Sequence, residues 1–290
     1  MTVNSRRVMG SVVTVAGLLA ACRDRDRAAA GSPPPRTVRY GAHPSQHADL
    51  HLPAGSADRL PVAVVVHGGF WRATYGYRLG TPLAADLAAR GWAAWNLEYR
   101  RVGDGGGWPA TFEDVAAGID ALAGPGQQAA TGRLDLGRVV AVGHSAGGHL
   151  ALWAGGRPRL PSGSIGAEPR IRLTGVVSQA GVADLVHAAE HLLGAGAAVA
   201  LLGGSPAEQP ERYRLASPTA LVPVGVPVAL VHGEDDQVVP IAQSERFAAA
   251  AARAGDRVTL TRLSGIGHFE LIDPTSTAWA ACRAHLDRLR

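Results

Sequence analysis

From Thr37 onward the chain alternates short, Val-rich apolar runs with longer Ala- and Leu-rich stretches whose apolar residues recur at helical spacing. The short runs have the length and β-branched content of buried strands, and the long ones have the period of amphipathic helices. The pattern predicts strands over 38–40, 48–52, 62–67, 93–99, 139–144, 175–178, 228–232 and 258–263, with helices near 78–90, 111–123, 146–155, 241–254 and 275–289. Strands that alternate with helices cross over in parallel, so the expected fold class is α/β: one domain over 37–290 built on a doubly wound, mostly parallel, eight-stranded sheet. The segment 182–222 keeps neither period and carries Gly194, Gly196, Gly203, Gly204 and several prolines. It reads as an excursion over the sheet that forms a cap or a wall of a pocket.

Composition narrows the function classes. All 28 basic residues are Arg against 24 acidic ones, and two of the arginines lie at the extreme N-terminus, so no clustered basic face for nucleic acid is expected. No apolar run reaches the ~18 residues of a spanning helix. Cys22 and Cys282, at opposite ends of the chain, make neither a disulfide framework nor a zinc site of the CxxC kind, and nothing in the sequence calls for a metal or a cofactor.

The first 21 residues have the layout of an export signal: Arg6 and Arg7, then an apolar stretch from Val8 to Ala21 too short to span. Leu19-Ala20-Ala21 before Cys22 resembles a bacterial lipobox, which would make Cys22 a lipidated first residue. Ser5-Arg6-Arg7-Val8 is also similar to a twin-arginine signal, from which Met9 and Gly10 depart. Residues 22–36 alternate charge and then run into Ser and Pro, the composition of a flexible tether. The expected location is therefore the outer face of a bacterial cytoplasmic membrane, reached only through a lipid on Cys22. The alternatives are an ordinary cleaved signal, or a misplaced start before a cytoplasmic enzyme.

The most informative string is VVAVGHSAGGHLALWAG, a strand that runs into Gly143-His144-Ser145-Ala146-Gly147 and at once into a helix. A serine between two small residues at two-residue spacing is the pattern of a sharp, strained turn that lifts the hydroxyl above a sheet edge. Ser145 is the expected nucleophile. A hydroxyl attacks a carbonyl only when a base takes its proton, and in this arrangement an acid and then a histidine follow the serine. Of the late histidines, His285 lies among Arg283, Asp287 and Arg288 on what reads as a solvated helix face. His268 lies in a Gly-rich loop after a strand, at the sheet edge where Ser145 sits, and is the expected base. Asp256 precedes its strand and falls at the wrong edge, which leaves Asp184 and the Glu234-Asp235-Asp236 cluster. Donors for an oxyanion come from the His67-Gly68-Gly69-Phe70-Trp71 loop: the backbone N–H groups of Gly69 and Phe70, with that of Ala146 after the nucleophile. Trp71 and His144, flanking these groups, are the candidates for touching substrate, although the elbow position of His144 also suits packing. His67 is expected to tie the loop down, and His149 and Trp153 to be core.

From Val62 to its end the chain resembles the serine hydrolases of the α/β-hydrolase superfamily. The phrase HGEDDQVVP is similar to that family's HGxxDxxVP acid loop, and the resemblance implies Asp236 as the acid. HGGFW followed by GHSAGG is similar to the esterase branch that includes kynurenine formamidase, whose loop reads HGGxW. The resemblance implies hydrolysis of small carboxylic esters or formamide-type amides through an acyl-serine intermediate. Two alternatives remain: a small exopeptidase of the prolyl-oligopeptidase type, and a non-catalytic, lipid-anchored binding protein on the same fold. The Ala, Leu and Gly of 182–222 favour a small apolar acyl or aryl group.

Overall fold

The structure, a computed structural model, describes residues 33–55 and 59–290. The expected signal over 1–21 and Cys22 lie outside the described residues, as does most of the 22–36 tether.

All eight expected strands form: β1 (Arg36–Arg39), β2 (His47–His51), β3 (Leu60–Val66), β4 (Ala93–Leu97), β5 (Leu134–His144), β6 (Gly175–Gln179), β7 (Val228–Gly233) and β8 (Val258–Leu263). They make one sheet in the order β1-β2-β4-β3-β5-β6-β7-β8. β1 and β2 pair antiparallel, β2 pairs antiparallel with β4, and every later pairing is parallel. Alternate residues of the central strands feed two separate cores, because successive side chains of a strand point to opposite faces. Val62, Val64 and Val66 of β3 join one core, while Ala63 and Val65 join the other.

The helices that cover these faces are α1 (Thr81–Ala89), α2 (Ala110–Asp120), α3 (Pro125–Ala129), α4 (Ala146–Gly156), α5 (Leu185–Glu190), α6 (Leu193–Leu202), α7 (Pro210–Ala216), α8 (Ala242–Arg253) and α9 (Thr277–Leu289). Leu83 and Leu87 of α1 and Trp279, Cys282 and Leu286 of α9 bury on one side. Phe112 of α2, Leu150 and Trp153 of α4 and Phe247 of α8 bury on the other. The sheet is thus covered on both faces, as a doubly wound fold requires.

Several boundaries differ from the expected ones for local reasons. β4 stops at Leu97, short of Tyr99, because the Tyr99 N–H bonds the Glu98 carboxylate (2.9 Å). β5 starts at Leu134, ahead of Val139, and the register against β3 shifts between Pro61 and Val62. The excursion over 182–222 holds three helices, α5 to α7, that the sequence pattern hid, since Gly194, Ala195 and Gly196 take left-handed backbone angles inside the span of α6. His285 is not on a solvated face: it is buried against β8, with its Nε2 bonded to the Thr261 hydroxyl (2.9 Å).

Candidate active site

Ser145 lies between the end of β5 and the start of α4, at φ 57° and ψ −119°. This is a backbone region that a non-glycine residue holds only under constraint. The constraint is visible: its N–H donates to the Gln179 carbonyl at the end of β6 (2.8 Å), and its carbonyl accepts from His149 (3.1 Å) and Val182 (3.3 Å). The flanking glycines are needed for space. A Cβ on Gly147 would come within 2.0 Å of the Val66 carbonyl oxygen, and one on Gly143 within 2.1 Å of the Gly147 carbonyl oxygen. The small residues of the motif are therefore what let the elbow close against β3.

The acid loop after β7 separates its three carboxylates by burial. Glu234 and Asp235 are exposed, whereas Asp236 is buried. Asp236 Oδ1 accepts from the backbone N–H groups of Val238 and Val239, both at 2.8 Å. Its Oδ2 accepts from His268 Nδ1 at 2.6 Å, and His232 Nε2 lies 3.4 Å away. Burial alone would raise this carboxyl, yet the nearby His232 ring and the bonds from His268 and the Val239 N–H outweigh it and hold Asp236 well below the usual carboxylate range. Asp184 is engaged elsewhere, capping α5 through the His187 N–H (3.0 Å) and pairing with Arg246 (2.7 Å). Asp256 accepts from Val224 and Gly225 N–H groups, bracing a turn beside the start of β7.

The side chains of His144 and Trp71, the two candidates for touching substrate, are buried and bonded within the chain. The His144 ring is 5% exposed, lies 4.4 Å from the His268 ring, and donates from Nε2 to the His268 carbonyl (2.9 Å). It therefore braces the loop that carries His268. Burial, and after it the neighbouring His268, hold His144 well below the usual imidazole range, so the ring is neutral at neutral pH. Trp71 is 1% exposed and packs edge-on to His149, donating from Nε1 to its Nδ1 (3.2 Å). Its indole is large enough to complete the core behind the loop, and its polar tip is already bonded.

The loop after β3 brings its donors to the same edge. A Cβ on Gly68 would lie 3.1 Å from the Ser145 Cβ, so the loop passes directly over Ser145. Among the described residues, no acceptor is bonded to the N–H of Gly69, Phe70 or Ala146. The ring nitrogens of His67 face the Gly68 carbonyl (2.8 Å) and the Glu98 carboxylate (2.9 Å), and its ring stacks on Tyr99 at 4.3 Å. Glu98 also accepts from the Tyr77 and Tyr99 N–H groups and pairs with Arg101. Burial would raise this carboxyl, but His67 and Arg101 win and lower it to about 2. Sequence reasoning missed Glu98 and His232. Their local signals are a Glu-Tyr-Arg run just after β4 and the histidine that opens HGEDDQVVP.

A mostly parallel eight-stranded sheet with a strained serine elbow, an acid loop after β7 and a histidine loop after β8 is the α/β-hydrolase fold. The BD-FAE family matches residues 48–250, well over half of the chain, and the chain belongs to that family. Among curated proteins it is similar to esterase LipC from Mycobacterium tuberculosis, 30% identical over 267 residues, which cover 83% of this chain and 61% of that one. It is also similar to the isoprenylcysteine alpha-carbonyl methylesterase ICME of Arabidopsis thaliana, 28% identical, covering 81% of this chain and 56% of that one. The chain thus spans about three-fifths of the length of these relatives. Among solved structures, a truncated carbohydrate esterase from gut microbiota superposes with a TM-score of 0.77 at 23% identity, covering 90% of this chain and 97% of that one. Esterase B from Lactobacillus rhamnosis superposes with 0.76 at 22% identity, covering 94% and 92%. At these identities the structural likenesses speak for the fold.

Proposed function

We propose that the protein is a serine hydrolase that cleaves small carboxylic esters or formamide-type amides through an acyl-serine intermediate. The observation that carries the reading is the buried Asp236–His268 pair, with the second Asp236 oxygen fixed by two backbone N–H groups. An aspartate held in this way orients one tautomer of His268, leaving Nε2 to take the Ser145 proton. Ser145 Oγ then attacks the carbonyl carbon, and the carbonyl oxygen gains charge that the N–H groups of Gly69, Phe70 and Ala146 receive. His268 returns the proton to the leaving alcohol or amine. Water, deprotonated by the same ring, releases the acid and regenerates Ser145.

The named activities of LipC and of the methylesterases support the ester half of this reading. The HGGFW loop supports the formamide half. The strain at Ser145 argues against a non-catalytic binding protein, since such a protein has no use for a serine held at φ 57°. The Arg6-Arg7 start, the apolar stretch after it and the Leu19-Ala20-Ala21-Cys22 string support a further part of the proposal, export and a lipid on Cys22.

The test is a panel of short-chain aryl esters and N-formyl aromatics on the purified 37–290 domain, with a phosphonylating reagent as the label. The wild type is expected to turn over at least one class and to be labelled at Ser145. Ser145→Ala is expected to do neither and to melt as the wild type does. Turnover by Ser145→Ala, or labelling at another serine, would discard the mechanism.

A further inference from the structure

The loop that carries two of the three oxyanion donors is itself strained: Phe70 and Trp71 sit at φ 52° and 56°, both non-glycine residues in left-handed space. Such conformations persist only where the surroundings impose them. On the inner side the imposition is clear, since Trp71 bonds His149 and its carbonyl accepts from Val102 (2.8 Å). On the other side stands a second strained segment, more than a hundred residues away in the chain.

Leu192, Gly194, Ala195 and Gly196 all take left-handed angles, at φ 49°, 60°, 54° and 75°. Two of these four residues carry a side chain, and Leu192 is 66% exposed, so apolar burial of Leu192 does not hold the turn. The turn is closed by the Gly196 N–H, which donates to the Leu192 carbonyl (3.1 Å), and two contacts tie it to the donor loop. The Arg72 guanidinium donates to the Gly194 carbonyl at 2.5 Å. The Phe70 ring lies against the Gly194 backbone so closely that a Cβ there would meet Phe70 Cδ1 and Cε1 at 2.5 Å. Arg72 in turn lies 5.9 Å from the Phe70 ring centroid, so ring, guanidinium and turn form one packed unit. Gly194 is thus required twice, by its angles and by its neighbour.

We infer that residues 192–196 are a clamp on the donor loop: through Phe70 and Arg72 they fix the Gly69 and Phe70 N–H groups where an oxyanion forms, so that a segment remote from the reacting atoms sets the rate. The inference rests on the function proposed above. Arg72 and Gly194 are positioning residues, acting through the Phe70 backbone. A donor aimed at the oxyanion contributes more to the transition state than to the bound substrate. Loosening the clamp is therefore expected to lower kcat and leave KM nearly unchanged.

The experiment compares wild type, Gly194→Ala and Arg72→Met. It measures kcat and KM on p-nitrophenyl acetate, and the inhibition constant of phenylboronic acid, whose adduct with Ser145 places an oxygen at the oxyanion position. Gly194→Ala, which drives a methyl into the Phe70 ring, is expected to lose ~10²-fold in kcat with KM changed by less than about threefold, and to bind the boronic acid more weakly by a similar factor. Arg72→Met adds nothing to the contact and is expected to lose about 10-fold in both kcat and boronate affinity. Should Gly194→Ala fail to fold, Arg72→Met decides alone. Folded variants with wild-type kcat and boronate affinity, even with a lower Tm, would reduce the contact to ordinary packing and overturn the clamp. A wild type that hydrolyses nothing and is not phosphonylated at Ser145 would instead overturn the proposed function, and the clamp with it.

Discussion

Replacing Asp236 by Asn changes a single atom, and the surroundings dictate which way the amide turns. Oδ1 accepts two backbone N–H groups, from Val238 and Val239, each at 2.8 Å. An amide NH2 in that place would face two donors, so the Asn oxygen must stay there and the NH2 must take the position of Oδ2. That position faces His268 Nδ1 at 2.6 Å. It also faces His232 Nε2, whose proton is committed to the Val239 carbonyl at 2.8 Å. The NH2 can be accommodated only if His268 Nδ1 becomes the acceptor, which moves the ring proton to Nε2, the nitrogen that must receive a proton from Ser145. The equivalent wrong-tautomer substitution in a serine protease lowers kcat ~10⁴-fold, or about 5 kcal/mol of transition-state stabilisation. Asp236→Asn is therefore expected to retain about 10⁻⁴ of wild-type kcat on p-nitrophenyl acetate, while Asp235→Asn, at an exposed side chain, stays within about twofold. Initial rates on purified proteins with matched circular dichroism spectra decide the matter. Near-wild-type turnover by Asp236→Asn would refute the reasoning, and a larger loss in Asp235→Asn would show the acid assigned one residue too far along.

Gly147→Ala places a methyl 2.0 Å from the Val66 carbonyl oxygen and 2.5 Å from that of His67, both backbone atoms that cannot swing aside. It should cost at least ~3 kcal/mol, seen as a Tm lower by about 6 °C or more, and an unchanged melt would contradict the elbow's steric account. Burial, slightly opposed by the bond to the Ala216 carbonyl, lowers the His149 pKa from 6.5 to about 4. Below pH ~6.5 the unfolded chain then binds a proton that the folded chain refuses, so stability is full above that pH and falls toward pH 4, with about 2 kcal/mol lost by pH 5. Urea unfolding at pH 7.5 and 5.0 measures this, and equal stabilities would remove the buried neutral ring. On the proposed lipidation, Cys22→Ser should release the protein from the membrane fraction without altering turnover by the domain, because the diacylglyceryl chains with any N-acyl chain on Cys22 supply the two or more anchoring signals that stable residence needs. Wild type recovered in the cytoplasm with residues 1–21 attached would refute export.

The alternation of strand and helix periods, the serine elbow and the loop after β8 that carries His268 were legible because each is written in neighbouring residues. Val139 to Gly147 spell a strand and a turn whose closeness demands glycine, and that steric demand is local. The likeness of its loop to a known one singled out Asp236, and the fold sets it apart from its rivals: Asp235 points to solvent, and Asp184 is held by Arg246 from a helix 62 residues on. The surroundings of Trp71 and His144 were not legible for a related reason. Sequence adjacency to the reacting groups says nothing about which way a side chain faces, and both turn inward to bond His149 and the His268 carbonyl. The bonds from His67 to Glu98 and from Arg72 to Gly194 span 31 and 122 residues, and neither leaves a periodic trace. What the sequence alone determined is what short-range sterics and hydrophobic period dictate. The pairing of buried charges and of strained loops was decided by the tertiary structure, because those partners meet only after the sheet has brought distant strand ends to one edge.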